Sequence, residues 1–269
     1  MEIFDADQHM LPVFITTFNR LTCLKQLLAW LEKITYTQPV ILDNNSSYPP
    51  LLEFLSHTRH EVVRFNRNHG EKLPWESQLV FSKPGNYYVV TDPDIVPTEA
   101  CPLDLFHLLK SILLHMQVYF KAGPALKIDD IPSHCSVPEK IKEQKETFWN
   151  RPPIQYGAYG NGKPPLYFSW IDTTMALYDK CKPAPETKAH GFAHGPAIRT
   201  GEPYIARHTT WYLDKNNMTE EELYYARTTE CSDVYGTDFW LDKFNKTVER
   251  KDGRLRLKPK DPAGLHQQP

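Results

Sequence analysis

The sequence predicts an α/β fold with a mostly parallel central sheet flanked by helices, and three observations carry that prediction. Short apolar runs alternate with stretches of helical period through the first third of the chain. Each run opens into a polar, turn-forming cluster: Thr16 to Arg20, Asp43 to Ser47, then Asp92 with Asp94. Finally, 269 residues that are 41% apolar and 24% charged suffice for one large core, and no stretch approaches the roughly 18 apolar residues of a membrane span.

The elements follow in order. Leu11 to Thr16 suits a buried strand, and Leu21, Leu24, Leu27, Leu28 and Leu31 then recur at helical spacing. Val40 to Leu42 is a second strand, and Pro49-Pro50 opens a short helix through Leu51, Leu52, Phe54 and Leu55. A third strand is expected at Val62 to Phe65, a helix around Trp75 to Phe81, and a fourth strand at Tyr87 to Thr91. Alternation at this spacing implies parallel strands joined by right-handed crossovers, both sheet faces covered. Ligands on such sheets lie beyond the carboxyl ends of the strands, where the three polar clusters fall.

A long helix is expected from Leu105 to about Tyr119 and a strand from Ala122 to Ile128, ending at Asp129-Asp130. Regularity then drops. A polar helix is expected near Glu139 to Phe148, and one strand spans Tyr167 to Tyr178. Between Arg151 and Tyr204 lie Pro152, Pro153, Pro164, Pro165, Pro183, Pro185, Pro196 and Pro203, out of 23 prolines in the chain. Tyr156, Tyr159, Tyr167, Phe168, Trp170 and Phe192 are interleaved with them, so these are ordered, functional loops rather than disorder. Thr219 and Glu222 have capping-box spacing ahead of a last helix at Glu220 to Arg227. The chain reads as one domain, 1–269: a sheet-forming half at 10–130, a loop-rich half at 131–230 and a tail at 231–269.

Charge and cysteine content narrow the function. With 31 basic and 33 acidic side chains the net charge is -2, which excludes a general nucleic-acid binder. The five cysteines form no C-x-x-C pair and fit a reducing compartment, and acidic Glu2, Asp5 and Asp7 stand where a signal peptide is basic, so a cytoplasmic location is expected. From Trp240 onward eight Lys or Arg face four Asp or Glu. That tail is read first as solvated, and second as a peripheral contact for an anionic membrane surface.

Asp92-Pro93-Asp94 is the sharpest chemical feature. Two carboxylates one residue apart on a turn leaving a buried strand can aim at one hard cation, Mn2+ or Mg2+, which then bridges them to a diphosphate. No Lys or Arg stands between Asn86 and Leu109 to neutralise them. Asp43, ending its strand, can accept hydrogen bonds from a ribose or base, or can simply cap the Asp-Asn-Asn-Ser-Ser turn. Among eleven histidines, His190 and His194 are four apart but interleaved with glycine, and read as loop residues.

Together, Pro12 to Arg20, Ile41 to Ser47, Asn68-His69-Gly70 and Val89 to Asp94 resemble a GT-A fold glycosyltransferase of the family-two type. A softer likeness to another branch of that superfamily rests on Lys127 to Pro132, Trp170 to Thr174 and Ala206 to Tyr212. The resemblance implies a Rossmann-like sheet holding a nucleotide-diphosphate sugar, UDP-sugar first and GDP- or dTDP-sugar second. Thr16, Phe18, Asn19, Arg20, Asp43, Asn68, Asp92 and Arg207 would bind the donor. Asp94, Asp92 and His208 would hold the metal. Arg67 and Lys72 both stand where such enzymes place a basic residue. The implied reaction is metal-dependent transfer to a glycan or lipid-linked acceptor, inverting at the anomeric carbon, with a carboxylate base. Asp172 is the first candidate base and Asp130 the second, with Trp170 and Trp211 as acceptor platforms. Two alternatives remain: a glycan-binding module without turnover on the same fold, and a haloacid-dehalogenase-like phosphatase, whose D-x-D loop normally follows the first strand.

Overall fold

The structure, a computed structural model, describes residues 9–135, 138–154, 163–182, 195–214, 217–229, 246–251 and 254–259. Tyr156, Tyr159, Phe192, His190, His194 and most of the tail lie outside the described residues.

The expected strand-helix alternation is observed. Strands β1 (Leu11–Thr17), β2 (Thr37–Asp43), β3 (Glu61–Arg64) and β4 (Tyr87–Thr91) are mutually parallel in the order β3-β2-β1-β4. Helices α1 (Thr22–Leu31) and α2 (Pro49–His57) make the crossovers. Every residue of β4 is buried, as a strand covered on both faces requires. Because side chains alternate along a strand, Leu11, Val13 and Ile15 face Leu24, Leu27 and Leu28 of α1, whereas Phe14 faces a second cluster with Trp75, Tyr88 and Val90. The first cluster is closed by α5 (Leu105–His115), whose Phe106 meets Trp30 edge to face at 5.9 Å.

Beyond β4 the same sheet continues with strands of both directions. Its remaining order is β8 (Ala176–Asp179), β6 (Lys121–Leu126), β9 (Gly195–His208) and β5 (Ile95–Pro97), with β7 (Leu166–Ile171) also paired to β9. β8 is antiparallel to β4 and β6, and β6 is parallel to β9. Helix α6 (Pro138–Gln144) runs into a π turn at Lys145–Trp149, α7 (Glu220–Thr228) follows a 3-10 turn at Thr209–Tyr212, and β10 (Lys246–Lys251) pairs with β11 (Arg254–Pro259). Among the described residues no helix is long and apolar enough to cross a membrane.

Four boundaries differ from expectation. The helix near Trp75 is two short ones, α3 (Leu73–Glu76) and α4 (Leu79–Ser82), interrupted where Gln78 takes a left-handed φ of 63°. The helix from Leu105 stops at His115, and Lys182 Nζ donates to the carbonyls of Leu113, Met116 and Tyr119 beyond it. The single strand at Tyr167 to Tyr178 is two, because Asp172 Oδ1 accepts the Thr174 N–H at 3.0 Å in an Asx turn that sends the chain from β7 to β8. The proline-rich stretch also contributes fourteen-residue β9, whose register against β6 shifts between Pro124 and Ala125.

Candidate functional site

The site lies at the carboxyl ends of the parallel strands. Thr17 and Asp43 are register partners, and Asp92 follows the last residue of β4 directly. The loop after β1 and the loop after β2 are latched together by Asn19, which takes a φ of 53°. Its backbone N–H donates to Ser46 Oγ at 2.9 Å, its Oδ1 accepts from Ser47 N and Tyr48 N, and its Nδ2 donates to Thr228 Oγ1 on α7. Asp43 is fully buried: Oδ1 accepts Ser46 N at 3.0 Å and Oδ2 accepts Arg64 Nε at 2.8 Å. Asn68 Oδ1 accepts from Asn44 Nδ2 and Gly70 N. Asn19, Asp43 and Asn68 therefore shape the loops after β1, β2 and β3 through intramolecular bonds. The Thr16 hydroxyl is buried without a hydrogen bond among the described residues.

Helix α7 closes this side. Its N-terminus carries the expected capping box, with Thr219 N donating to Glu222 Oε2 and Glu222 N to Thr219 Oγ1. Glu221 accepts from Thr22, Tyr224 OH donates to Ser47 O at 2.9 Å, and Tyr225 lies under the Arg20 guanidinium at 3.7 Å and beside Phe18.

On the metal side, pairing of β5 with β9 sets Ile95 opposite His208 and so brings Asp94 to the histidine. Asp94 Oδ2 is 3.6 Å from His208 Nδ1 and accepts the Thr210 hydroxyl at 3.0 Å. Thr210 Oγ1 is also 2.7 Å from His208 Nδ1. A hydroxyl has one proton; given to Asp94, it leaves Thr210 Oγ1 to accept from Nδ1–H, and the neutral ring keeps its lone pair on Nε2, the form that binds metals. Among the described residues no three His, Cys, Asp or Glu side chains enclose a metal position. Two carboxylates beside an imidazole are a donor set that suits a hard divalent cation.

Asp92 joins the two sides. Burial first, and then the Asp94 carboxylate, push its pKa well above the usual carboxylate range, opposed by the Thr173 hydroxyl donating to Oδ2 at 2.7 Å. Thr173 belongs to the turn that carries Asp172. That turn packs on β6 so closely that a Cβ on Gly123 would stand 2.2 Å from Met175 O.

Asp172 lines a cleft of about 510 Å3 with Glu143, Arg151, Phe168, Trp170 and Arg199. Removal from water raises its pKa, but the Arg199 guanidinium, the Thr174 hydrogen bonds and His208 outweigh that and hold it below the ordinary value. It is thus ionised at neutral pH. Trp170, 63% exposed, and Phe168 present apolar faces beside it. Another concavity, at the amino ends of β2 and β3, is lined by Glu61 and by the surface pairing of Glu32 with Arg59 and His60.

Three expected site residues have other work. Arg207 donates Nε and Nη2 to Asp130 Oδ2 and Nη1 to Glu99, while Tyr212 OH donates to Asp130 Oδ1 at 2.5 Å. Three of the about four acceptor positions of Asp130, and three of the about five N–H donors of Arg207, are thus engaged within the chain. Trp211 is buried and stacks on His208 at 4.8 Å, so it supports the histidine rather than an acceptor. Sequence reasoning missed Arg199, Lys121, Thr173, Thr210 and Gly123. Only Thr173 and Thr210 carried a signal, as neighbours of Asp172 and His208.

The class defined by fold and site is thus an α/β protein with an acidic, histidine-flanked centre at the ends of its parallel strands. No protein-family model matches the chain, and no curated protein matches it. Among solved structures it is similar to Staphylococcus aureus TarS 1–349, at 11% identity and TM-score 0.42 over 87% of this chain and 72% of that one. It is also similar to 4-diphosphocytidyl-2C-methyl-D-erythritol synthase from Anaerococcus prevotii, at 9% identity and TM-score 0.40 over 81% of this chain and 95% of that one. A third is GalNAc-T7 with UDP, GalNAc and Mn2+, at 13% identity and TM-score 0.44 over 88% of this chain and 50% of that one.

Proposed function

We propose that this chain transfers a sugar from a nucleotide-diphosphate sugar to a glycan or lipid-linked acceptor, by inversion, with Asp172 as general base. The observation that carries the reading is the convergence of Asp92, Asp94 and His208 with the Asp172 turn, joined through the Thr173 to Asp92 hydrogen bond. The loops fixed by Asn19 and Asp43, with Thr16, Phe18 and Arg20 beside them, form the nucleotide side. Trp170 offers a flat apolar face on which a sugar ring stacks.

Asp94 and His208, with Asp92 nearby, would hold Mn2+ or Mg2+, which when bound neutralises charge on the departing diphosphate. The Asp172 carboxylate takes the proton of the acceptor hydroxyl as its oxygen forms the new glycosidic bond. Because Asp172 is held ionised, it accepts that proton without first losing one. The inverting outcome follows the family resemblance.

A donor-hydrolysis and transfer screen over UDP-, GDP- and dTDP-sugars with Mn2+ tests the proposal. Metal-dependent turnover of one donor is expected, with loss of at least about 100-fold in Asp94→Ala. Full activity in Asp94→Ala, or turnover indifferent to chelator, overturns the mechanism. Glycan binding without nucleotide affinity would establish the non-catalytic module instead.

A further inference from the structure

We propose that Arg199 is the positioning residue for Asp172, fixing the end of β7 and the Asx turn after it so that the carboxylate faces the cleft. This rests on the reading of Asp172 as the base and names what makes it competent. Arg199 is 4% exposed, and its bonds go to three separate segments: Nη1 to Pro124 O on β6 at 2.9 Å, Nε to Trp170 O on β7 at 3.2 Å, and Nη2 to Thr174 Oγ1 in the turn at 3.4 Å. The same Thr174 gives its backbone N–H to Asp172 Oδ1 at 3.0 Å. Lys121, on β6, donates Nζ to the next carbonyl, Ile171 O, at 2.6 Å. Successive carbonyls of a strand point to opposite sides, so two enclosed basic side chains grip the last two peptide units before Asp172 from both edges.

A guanidinium is a costly way to tie strands together, since burying a charge among neutral partners is strongly unfavourable. Among the described residues the Asp172 carboxylate is the charge that acts favourably on Arg199, offsetting part of a burial that still pushes the guanidinium pKa down. Cation and carboxylate therefore hold each other in place, with Thr174 as the bonded link. Among the described residues, the other charged or titratable groups that act on Asp172 or line its cleft are His208, also on β9, Lys121 on β6, Tyr178 on β8, Asp92 after β4, and Glu143 and Arg151.

The test uses the full chain carrying Arg199→Met, Arg199→Lys or Thr174→Val, each alone and Arg199→Met also combined with Asp172→Asn. Two readouts are taken: transfer kinetics, and the carboxyl-carbon NMR titration of Asp172, assigned by its loss in Asp172→Asn. Arg199→Met is expected to lower kcat by about 100-fold because the carboxylate is misplaced, even though its basicity rises, with donor KM held within about twofold, and Arg199→Lys to recover part of the loss. The Asp172 titration midpoint should rise in Arg199→Met and, by less, in Thr174→Val. In the Asp172→Asn background Arg199→Met should cost nothing further, since the two act as one unit. Multiplicative losses in the double variant, or an unmoved Asp172 midpoint, would overturn the proposal. If Asp172→Asn leaves transfer intact, the base lies elsewhere and the functional reading falls, while the midpoint still decides whether Arg199 holds the carboxylate. If Arg199→Met fails to fold, Thr174→Val decides through the same midpoint and kcat.

Discussion

Asp43 and Asp172 both stand at the carboxyl end of a strand, yet their surroundings treat them in opposite ways. Asp43 is sealed, with one oxygen on a backbone N–H and the other on Arg64. Asp172 accepts from Thr174 and otherwise faces a cleft. The loops after β1 and β2 thus consume their polar side chains in building themselves, whereas the turn after β7 leaves one carboxylate facing open space. A carboxylate at a strand end is a candidate for chemistry only when its lone pairs are not already engaged by its own chain.

The contrast can be broken most sharply by removing one charge at a time. Asp172→Asn is expected to lower kcat about 1,000-fold with donor affinity unchanged, whereas Asp43→Asn should cost about 1–3 kcal/mol of stability, read by urea unfolding. Equal effects on stability from both would erase the distinction. Next in size is Gly123→Ala: its Cβ would collide with Met175 O, so the Asp172 turn must move, with about 2 kcal/mol lost in unfolding and about 100-fold in kcat. Asn19→Ala should cost about 2 kcal/mol and weaken donor binding while leaving kcat at saturating donor nearly intact, because it unlatches loops without touching the base.

Lys121 sharpens the comparison through pH. Burial lowers its pKa to about 7, so between about 7 and its unfolded value the unfolded chain binds one proton more than the folded one. Wild-type stability should therefore rise with pH in that window relative to Lys121→Met, by about 1 kcal/mol per unit just above pH 8, and the difference should be flat below about pH 6. A flat difference throughout would mean that the amine stays charged. The smallest effect is expected from Thr219→Ala, about 1 kcal/mol from the loss of the α7 cap, read as faster hydrogen exchange in that helix.

Much of the N-terminal half is legible because its signals are local. Leu11 to Thr16, the leucines of α1 and Tyr87 to Thr91 announce their own periods, and Asp-Pro-Asp marks its own turn. The C-terminal half hides its structure for physical reasons. Strand β9 contains Pro196 and Pro203 and changes pairing partners midway, so no alternating period survives along it. Arg199 within it then looked like one more loop residue. Tyr167 to Tyr178 is apolar enough for one strand, and only the Asp172 side chain, bonding two residues ahead, divides it. Asp130 and Arg207 have suitable chemistry, but their partners Tyr212 and Glu99 are set by tertiary pairing that sequence does not announce, while Trp211 is turned onto His208 by the 3-10 turn between them.

Helix α7 also places a constraint on how the chain is made. The bond from Asn19 to Thr228 spans 209 residues, and those from Thr22 to Glu221 and Tyr224 to Ser47 span 199 and 177. Contacts of such separation close late, because a long loop must be ordered before they return any energy. During synthesis, the loops after β1 and β2 are therefore made well before they can set. The sheet beneath them can assemble early, but these loops wait for the arrival of residue 228.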